Sequence, residues 1–399
     1  MADHLPGERR NVALLAANQA LYLIAAITVM TLSGVVGQQL AQTPALATLP
    51  VAMMQVGALV STFPASMLMR RIGRRAGFLI GSIGGGMLGA AVATVGIIAD
   101  SFALFCLGNL LLGVYQAFAM YYRFAAADCA GESFRSIAIS LVMAGGVIAA
   151  FLGPWNASFS QSLMTNQPLA GPYVMLTGLA LVAGILLTLL RVPPSREPEP
   201  DAPAQRTLPQ IMMQPAFLVA LTAATVGYAM MIMIMTATPI AMQHSGFSML
   251  QIATVMQWHV LGMFAPSFVT GWLISRYGVL NILLAGGLLL VGALGTALSG
   301  ESFSHYLMAL LLLGVAWNFL FVGGTTLLTE THTVEERGKV QGINDLIIFS
   351  MVALSSLLAG VLLHQIAWQG LNLSALPFAL LTLAVTSALA LQRRRVAAS

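Results

Sequence analysis

Twelve apolar stretches, each near the length of a membrane-crossing helix, succeed one another from residue 12 to residue 391. They lie at approximately 12–36, 45–69, 76–98, 102–124, 133–155, 170–191, 214–238, 248–274, 279–298, 304–328, 338–364 and 371–391. A helix needs roughly 20 apolar residues to cross the hydrocarbon core of a bilayer. Only helices and closed barrels satisfy the backbone there, and barrel strands would be shorter and alternate in polarity. The expectation is an all-α polytopic membrane protein. With 8% charged residues against 58% hydrophobic ones, the chain has too few charges to cover a soluble surface.

The charges that remain are placed by topology. Numbering the runs one to twelve, Arg9 and Arg10 precede run one, and Arg70, Arg71, Arg74 and Arg75 separate runs two and three. Arg123 and Arg135 flank the loop after run four, and Arg191, Arg196 and Arg206 follow run six. Arg276 follows run eight, Arg337 and Lys339 follow run ten, and Arg393, Arg394 and Arg395 follow run twelve. All 17 Lys and Arg fall on one side of a twelve-span chain. By the positive-inside rule that side is the cytoplasm and holds both termini. The net charge of +4 is therefore a topology signal and no argument for a nucleic-acid partner. The first run is long enough to remain as a helix, so no cleaved leader is expected. Cys106 and Cys129 sit near opposite ends of run four and form neither a metal motif nor an expected disulfide.

Residues 192–208, "VPPSREPEPDAPAQRTL", have the proline-rich, charged composition of a linker. They divide the chain into a six-helix bundle at 1–191, a cytoplasmic linker and a second six-helix bundle at 209–399. A weak repeat agrees: shifted by 205 positions, Gly57, Arg71 and Gly73 match Gly262, Arg276 and Gly278. Duplicated bundles of this kind are transporter architecture, with cargo held near the midplane.

Run seven contains "GYAMMIMIMTATPI". Met231 and Met235 are four apart and share a helix face, whereas Met230 and Met233 point elsewhere. Run eight contains "QWHVLGMF", with His259 and Met263 also four apart. Runs seven and eight are consecutive and antiparallel, so the two pairs overlap in height. Thioethers select Cu(I) and imidazole tolerates copper. Without a nearby carboxylate or thiolate the set suits neither a hard divalent ion nor a tight zinc site. The alternative is core packing, since methionine fills irregular interfaces; an intramembrane histidine is either packed and hydrogen-bonded or functional.

"SMLMRRIGRR" after run two resembles the loop motif of the major facilitator superfamily through Arg71, Gly73, Arg74 and Arg75. Ser66 and Arg70 stand where that motif has glycine and aspartate, so its cytoplasmic latch is expected to differ here. The second copy fits at Gly271, Arg276 and Gly278, with Ser275 at the acidic position. "AFLGPW" partly resembles the antiporter motif at Gly153 and Pro154, but Ala157 and Ser158 replace its trailing glycines. The resemblance implies the major facilitator fold, twelve transmembrane helices in two pseudo-symmetric six-helix bundles.

Met-x-x-x-Met followed by His-x-x-x-Met resembles the CcoA-type copper importers of that superfamily, which implies Met231, Met235, His259 and Met263 as metal ligands. It further implies copper import, with Cu(I) as transported substrate rather than resident cofactor, in support of haem–copper oxidase assembly and with downstream copper chaperones as partners. "LATLP", "YYRFAAAD", "GGVIAAFLGP" and "QGINDL" resemble the wider branch, which includes riboflavin-type transporters. The rival expectation is accordingly a carrier of a small organic solute, flavin-like or drug-like, with His259 as a hydrogen-bond donor. A third is a copper sensor or assembly partner that moves nothing.

Asp345, a turn or two inside run eleven, is a candidate for proton coupling or gating, against a plain helix-end carboxylate that favours the dipole. No phosphate-binding loop, nucleophile triad or dinucleotide fingerprint is present, which excludes an ATP-driven pump and an enzyme from the expectations. The expected setting is a monomer in the bacterial cytoplasmic membrane, in contact with lipid.

Overall fold

The computed structural model describes residues 7–191, 206–333 and 336–398. Every long element is a helix. They are α1 (Glu8–Leu40), α2 (Leu49–Ile72), α3 (Arg74–Ile98), α4 (Phe102–Asp128), α5 (Glu132–Phe159) and α6 (Gly171–Thr188). There follow α7 (Pro215–His244), α8 (Met249–Phe264), α9 (Ser267–Tyr277), α10 (Val279–Ser299), α11 (Phe303–Leu328) and α12 (Arg337–Ala398).

Among the described residues, 10 helices are long and apolar enough to cross a membrane, or 11 if the bent pair α8–α9 is one span. The last of these covers 57 residues, Lys339–Arg395. At 1.5 Å per residue a straight rod of that length would measure about 85 Å, more than twice the hydrocarbon thickness. It is not straight: Ala367 leaves helical geometry, with φ 55 and ψ −174. Runs eleven and twelve are thus the two arms of α12. The α8–α9 bend is 40° and falls at Ala265 and Pro266. A proline has no N–H for the helical ladder, which opens there.

The chain separates into two compact units. The first is Met1–Glu197 together with Gly246–Gln257, and the second is Pro198–Ser245 together with Trp258–Ser399. Residues 192–205 of the expected linker lie outside the described residues.

Each unit repeats the other's local construction. In the first, α2 crosses α4 where a Cβ on Gly57 would stand 2.1 Å from the Leu110 carbonyl oxygen, and one on Gly113 2.0 Å from that of Met54. In the second, α8 crosses α11 where a Cβ on Gly262 would stand 2.8 Å from the Leu311 oxygen, and one on Gly314 2.4 Å from that of His259. Backbones approach this closely only where side chains are missing, as in other membrane helix pairs. The loop glycines match too: Gly73 has φ 85 and ψ 153, Gly278 φ 84 and ψ 147. That region is open to glycine almost alone, which explains the repeated residue.

Within each unit the basic residues gather at one end. In the first, Arg10 donates to the Leu189 carbonyl at 2.9 Å, the Gly131 N–H donates to Glu8 at 3.0 Å, and Arg74 pairs with Asp128. These contacts tie the start of α1 and the α2–α3 junction to the α4–α5 loop and the end of α6. The loop motif therefore keeps an acidic partner, supplied by Asp128 of α4, although Arg70 occupies the usual aspartate position. In the second unit Arg206 grips Glu336 through Nη2 at 2.6 Å and Nε at 3.0 Å, and Arg393 pairs with Glu330 at 2.8 Å. Lys339 Nζ donates to the Arg206 carbonyl at 2.5 Å.

Candidate functional site

The four expected ligands lie in the second unit and are buried: Met231 is 1% exposed, Met235 3%, His259 0% and Met263 7%. Burial does not single out the Met231–Met235 face, because Met230 and Met233 are buried as well. The whole of residues 229–242 is enclosed, since α7 packs on both α11 and α12.

The α7–α11 contact is antiparallel. Gly227 meets Leu320, and Gly324 meets Ala220 and Ala224. The α8–α11 contact is set by Gly314 against the His259 carbonyl. Continuing the α7 register along α11 carries Met231 and Met235 toward the stretch that holds Gly314 and Leu310, level with His259.

His259 has a defined tautomer. Its Nδ1 lies 2.7 Å from the Leu310 carbonyl oxygen, which can only accept, so Nδ1 carries the proton. Nε2 is buried with no hydrogen-bonding partner among the described residues. The neutral ring therefore offers an acceptor lone pair, and the expectation of His259 as a donor is corrected: its N–H is already committed to α11.

Met263 is drawn in through its backbone. Asn318 Nδ2 donates to the Met263 carbonyl at 2.7 Å and to Ser267 Oγ at 2.6 Å, while Thr270 donates to Asn318 Oδ1 at 2.6 Å. One amide thus spans the break that Pro266 opens between α8 and α9.

Beside this lies a cluster absent from the sequence expectations. Trp317 and Phe321 of α11 stack at 5.2 Å with planes 9° apart. Tyr228 of α7 stands edge-on to Trp317 at 5.5 Å, to Phe321 at 5.3 Å and to Phe349 of α12 at 5.9 Å. Phe264, at the end of α8, reaches Trp317 at 6.1 Å. Trp317 is 8% exposed and its Nε1 is buried without a partner; Thr225 Oγ1, a turn before Tyr228, is likewise unpartnered. The i,i+4 spacing of Trp317 and Phe321 was readable as one helix face. Nothing in the sequence says that Tyr228 and Phe349, from other helices, join it.

The polar atoms left over here are neutral. Among the described residues no group of three or more His, Cys, Asp or Glu is placed to hold a metal ion, a statement that does not cover thioethers. Of the loop-motif candidates, Arg71, Gly73 and Arg75 are exposed and Arg74 is half-buried against Asp128. Arg276 is exposed, its guanidinium 5.8 Å from the Trp272 ring and 5.9 Å from that of Tyr277, beside Gly278. Asp345 is exposed near the start of α12 and accepts from Asn344 Nδ2 at 3.1 Å.

The family model described as Major Facilitator Superfamily matches residues 14–293 and 220–398. The chain is 41% identical over 377 residues to the riboflavin transporter RfnT of Brucella anthropi, covering 94% of each chain. It is 30% identical to the uncharacterized MFS-type transporter YdeG of Bacillus subtilis, over 86% of this chain and 83% of that one. Among solved structures it is similar to the human organic anion transporter MFSD10 (TETRAN), with a TM-score of 0.66 and 16% identity over 95% of this chain and 99% of that one. At that identity the likeness is one of fold alone.

Proposed function

The chain belongs to the Major Facilitator Superfamily and is a transporter, not an enzyme; from that premise we propose that its cargo is a neutral, flavin-type organic solute. The observation that carries this reading is the 41% identity to a riboflavin transporter along 94% of both chains. The second unit is chemically suited to such a cargo. Among its buried atoms without a partner are the neutral indole N–H of Trp317, the imidazole lone pair of His259 and the hydroxyl of Thr225. A planar, uncharged heteroaromatic ring with carbonyls and ring nitrogens can satisfy donors and acceptors of this kind without bringing an ion out of water. The repeated helix crossings and loop glycines fit the duplicated construction of such transporters. We place the protein in a bacterial cytoplasmic membrane with both termini inside, on the one-sided arginines.

The copper reading has no counterpart among these relatives. One observation keeps it as the second reading: His259 holds its proton on Nδ1 toward a carbonyl and presents a bare Nε2, the state of a ligating imidazole. Buried thioethers stand in the same unit.

One experiment separates the two. A bacterial riboflavin auxotroph without its own importer is given this chain and grown on limiting riboflavin, and uptake of labelled riboflavin and of copper is measured in the same cells. Growth rescue and riboflavin uptake, with copper content unchanged, are expected. Copper accumulation that disappears in Met235→Ala and His259→Ala, in cells that take up no riboflavin, would overturn the proposal in favour of the second reading.

A further inference from the structure

Five aromatic rings from four helices meet inside the second unit, and packing alone accounts for them poorly. A sealed aromatic core would bury every ring and pair every polar atom. Here Tyr228, Phe264, Phe321 and Phe349 are only half-buried, so their faces are not all covered by protein. Trp317 is the reverse: it is 8% exposed, yet its N–H has no acceptor among the described residues. Leaving such a donor unpaired carries the full penalty of its lost hydration. A phenylalanine would fill the space without that penalty, so the indole is poorly explained as filler. Acyl chains would cover the ring faces but bring no acceptor. Water would pair the N–H but gains nothing from the faces. The occupant that answers both features is flat, aromatic and edged with acceptors.

We propose that Trp317, with Tyr228 and Phe321 beside it, is the ring subsite for a planar heteroaromatic cargo, whose carbonyl or ring nitrogen accepts the indole N–H. This rests on the organic-solute reading above and adds to it which part of the cargo is held and by which residues. Trp317 and Phe321 stack with planes 9° apart, so each shields one face of the other and the pair leaves an outer ring face for a further ring. Tyr228 stands edge-on to both, at 72° and 73°, beside that stack. A ring system laid on the outer face extends the stack by offset contacts, and the edge-on tyrosine limits how it can turn. Specificity then comes from the hydrogen bond: an isostere without an acceptor leaves the N–H buried and unpaired, which discriminates more strongly than shape does. A flexible polyol tail takes no part in this contact.

The test uses the full chain purified in detergent, with binding followed by the quenching of flavin emission. The probes are riboflavin, lumiflavin (the ring without the polyol) and ribitol (the polyol without the ring). Lumiflavin is expected to compete with riboflavin, and ribitol is not. Trp317→Phe keeps a ring and removes the N–H, and is expected to bind riboflavin about tenfold more weakly. Trp317→Ala removes both and should be weaker still, with the quenching of bound flavin relieved. Phe321→Leu keeps the N–H while breaking the aromatic stack, and should weaken lumiflavin and riboflavin alike. Thermal unfolding of each variant checks that it is folded; if Trp317→Ala is not, the other two substitutions decide. Riboflavin bound with wild-type affinity by all folded variants would overturn the subsite and leave the cargo reading standing. Competition by ribitol but not lumiflavin would do the same. A wild-type protein that binds neither riboflavin nor lumiflavin would overturn both.

Discussion

Single polar side chains hold the second unit together where its helices are interrupted. Asn318 is the clearest case, since its amide serves the Met263 carbonyl, Ser267 and Thr270 at once. Asn318→Leu should lower stability by about 1–3 kcal/mol, because buried partners on both sides of the break lose their hydrogen bonds; a fall in detergent melting temperature checks this. Glu336 works at the basic end. Its carboxylate is 3% exposed, and the Arg206 guanidinium holds its pKa down to about 2 from an ordinary 4.5. A carboxylate with a depressed folded-state pKa contributes stability above its unfolded value and loses it as pH falls through the folded one. Glu336→Gln should therefore lower the melting temperature at pH 7 and at pH 5 alike. The difference from wild type should shrink between pH 4.5 and about 2. A difference that vanished between pH 7 and 5 would contradict the Arg206 clamp.

At the scale of elements, the contacts between helices are set by what is missing. A Cβ on Gly314 would stand 2.4 Å from the His259 oxygen, whereas one on Gly271 meets nothing within 4 Å. Gly314→Ala should push α8 from α11, disturb the His259–Leu310 contact and cost about 1–3 kcal/mol. Gly271→Ala, in the interior of α9, should leave stability unchanged or raise it by roughly 0.5–1 kcal/mol. Parallel melts of the two variants, with uptake assays beside them, test the pair. The helices themselves were legible as apolar runs, because length and hydropathy alone decide whether a segment can lie in lipid. Their interruptions were harder to read. Pro266 marks the α8–α9 bend plainly, but Pro239 lies inside an unbroken α7, and the turn between the two arms of α12 falls at Ala367, a residue with no turn preference. Whether a helix survives a proline depends on which neighbours take up the freed carbonyls. The candidate site was legible in part for the same reason. His259 and the methionines carry their chemistry in their names, while the Tyr228–Trp317–Phe321 cluster exists only after α7 and α11 have packed.

For the whole molecule the one-sided arginines make a topological prediction. With both termini inside, a fluorescent protein fused after Ser399 should fluoresce, and alkaline phosphatase fused there should be inactive. Phosphatase inserted after Gly246, between α7 and α8, should be active. The opposite pattern would remove the argument for inward-facing termini. The repeat at a spacing of 205 residues extends from sequence to geometry. Gly73 and Gly278 share a backbone conformation, and the α2–α4 and α8–α11 crossings share their glycine contacts. In this duplication His259 occupies the place that Met54 holds in the first unit, each with its carbonyl against a crossing glycine. A residue that packs in one copy has become, in the other, a buried acceptor without a partner.

From its sequence alone this protein is legible as a bundle of membrane helices, doubled and with its basic residues on one side, because the free energy of placing apolar runs and charges relative to a bilayer is large and local. Which buried side chains lie beside one another was decided by tertiary packing. Thioethers, rings and amides are all tolerated in a buried helix, and how the helices cross, as at Gly314 and Gly227, decides which of them come together.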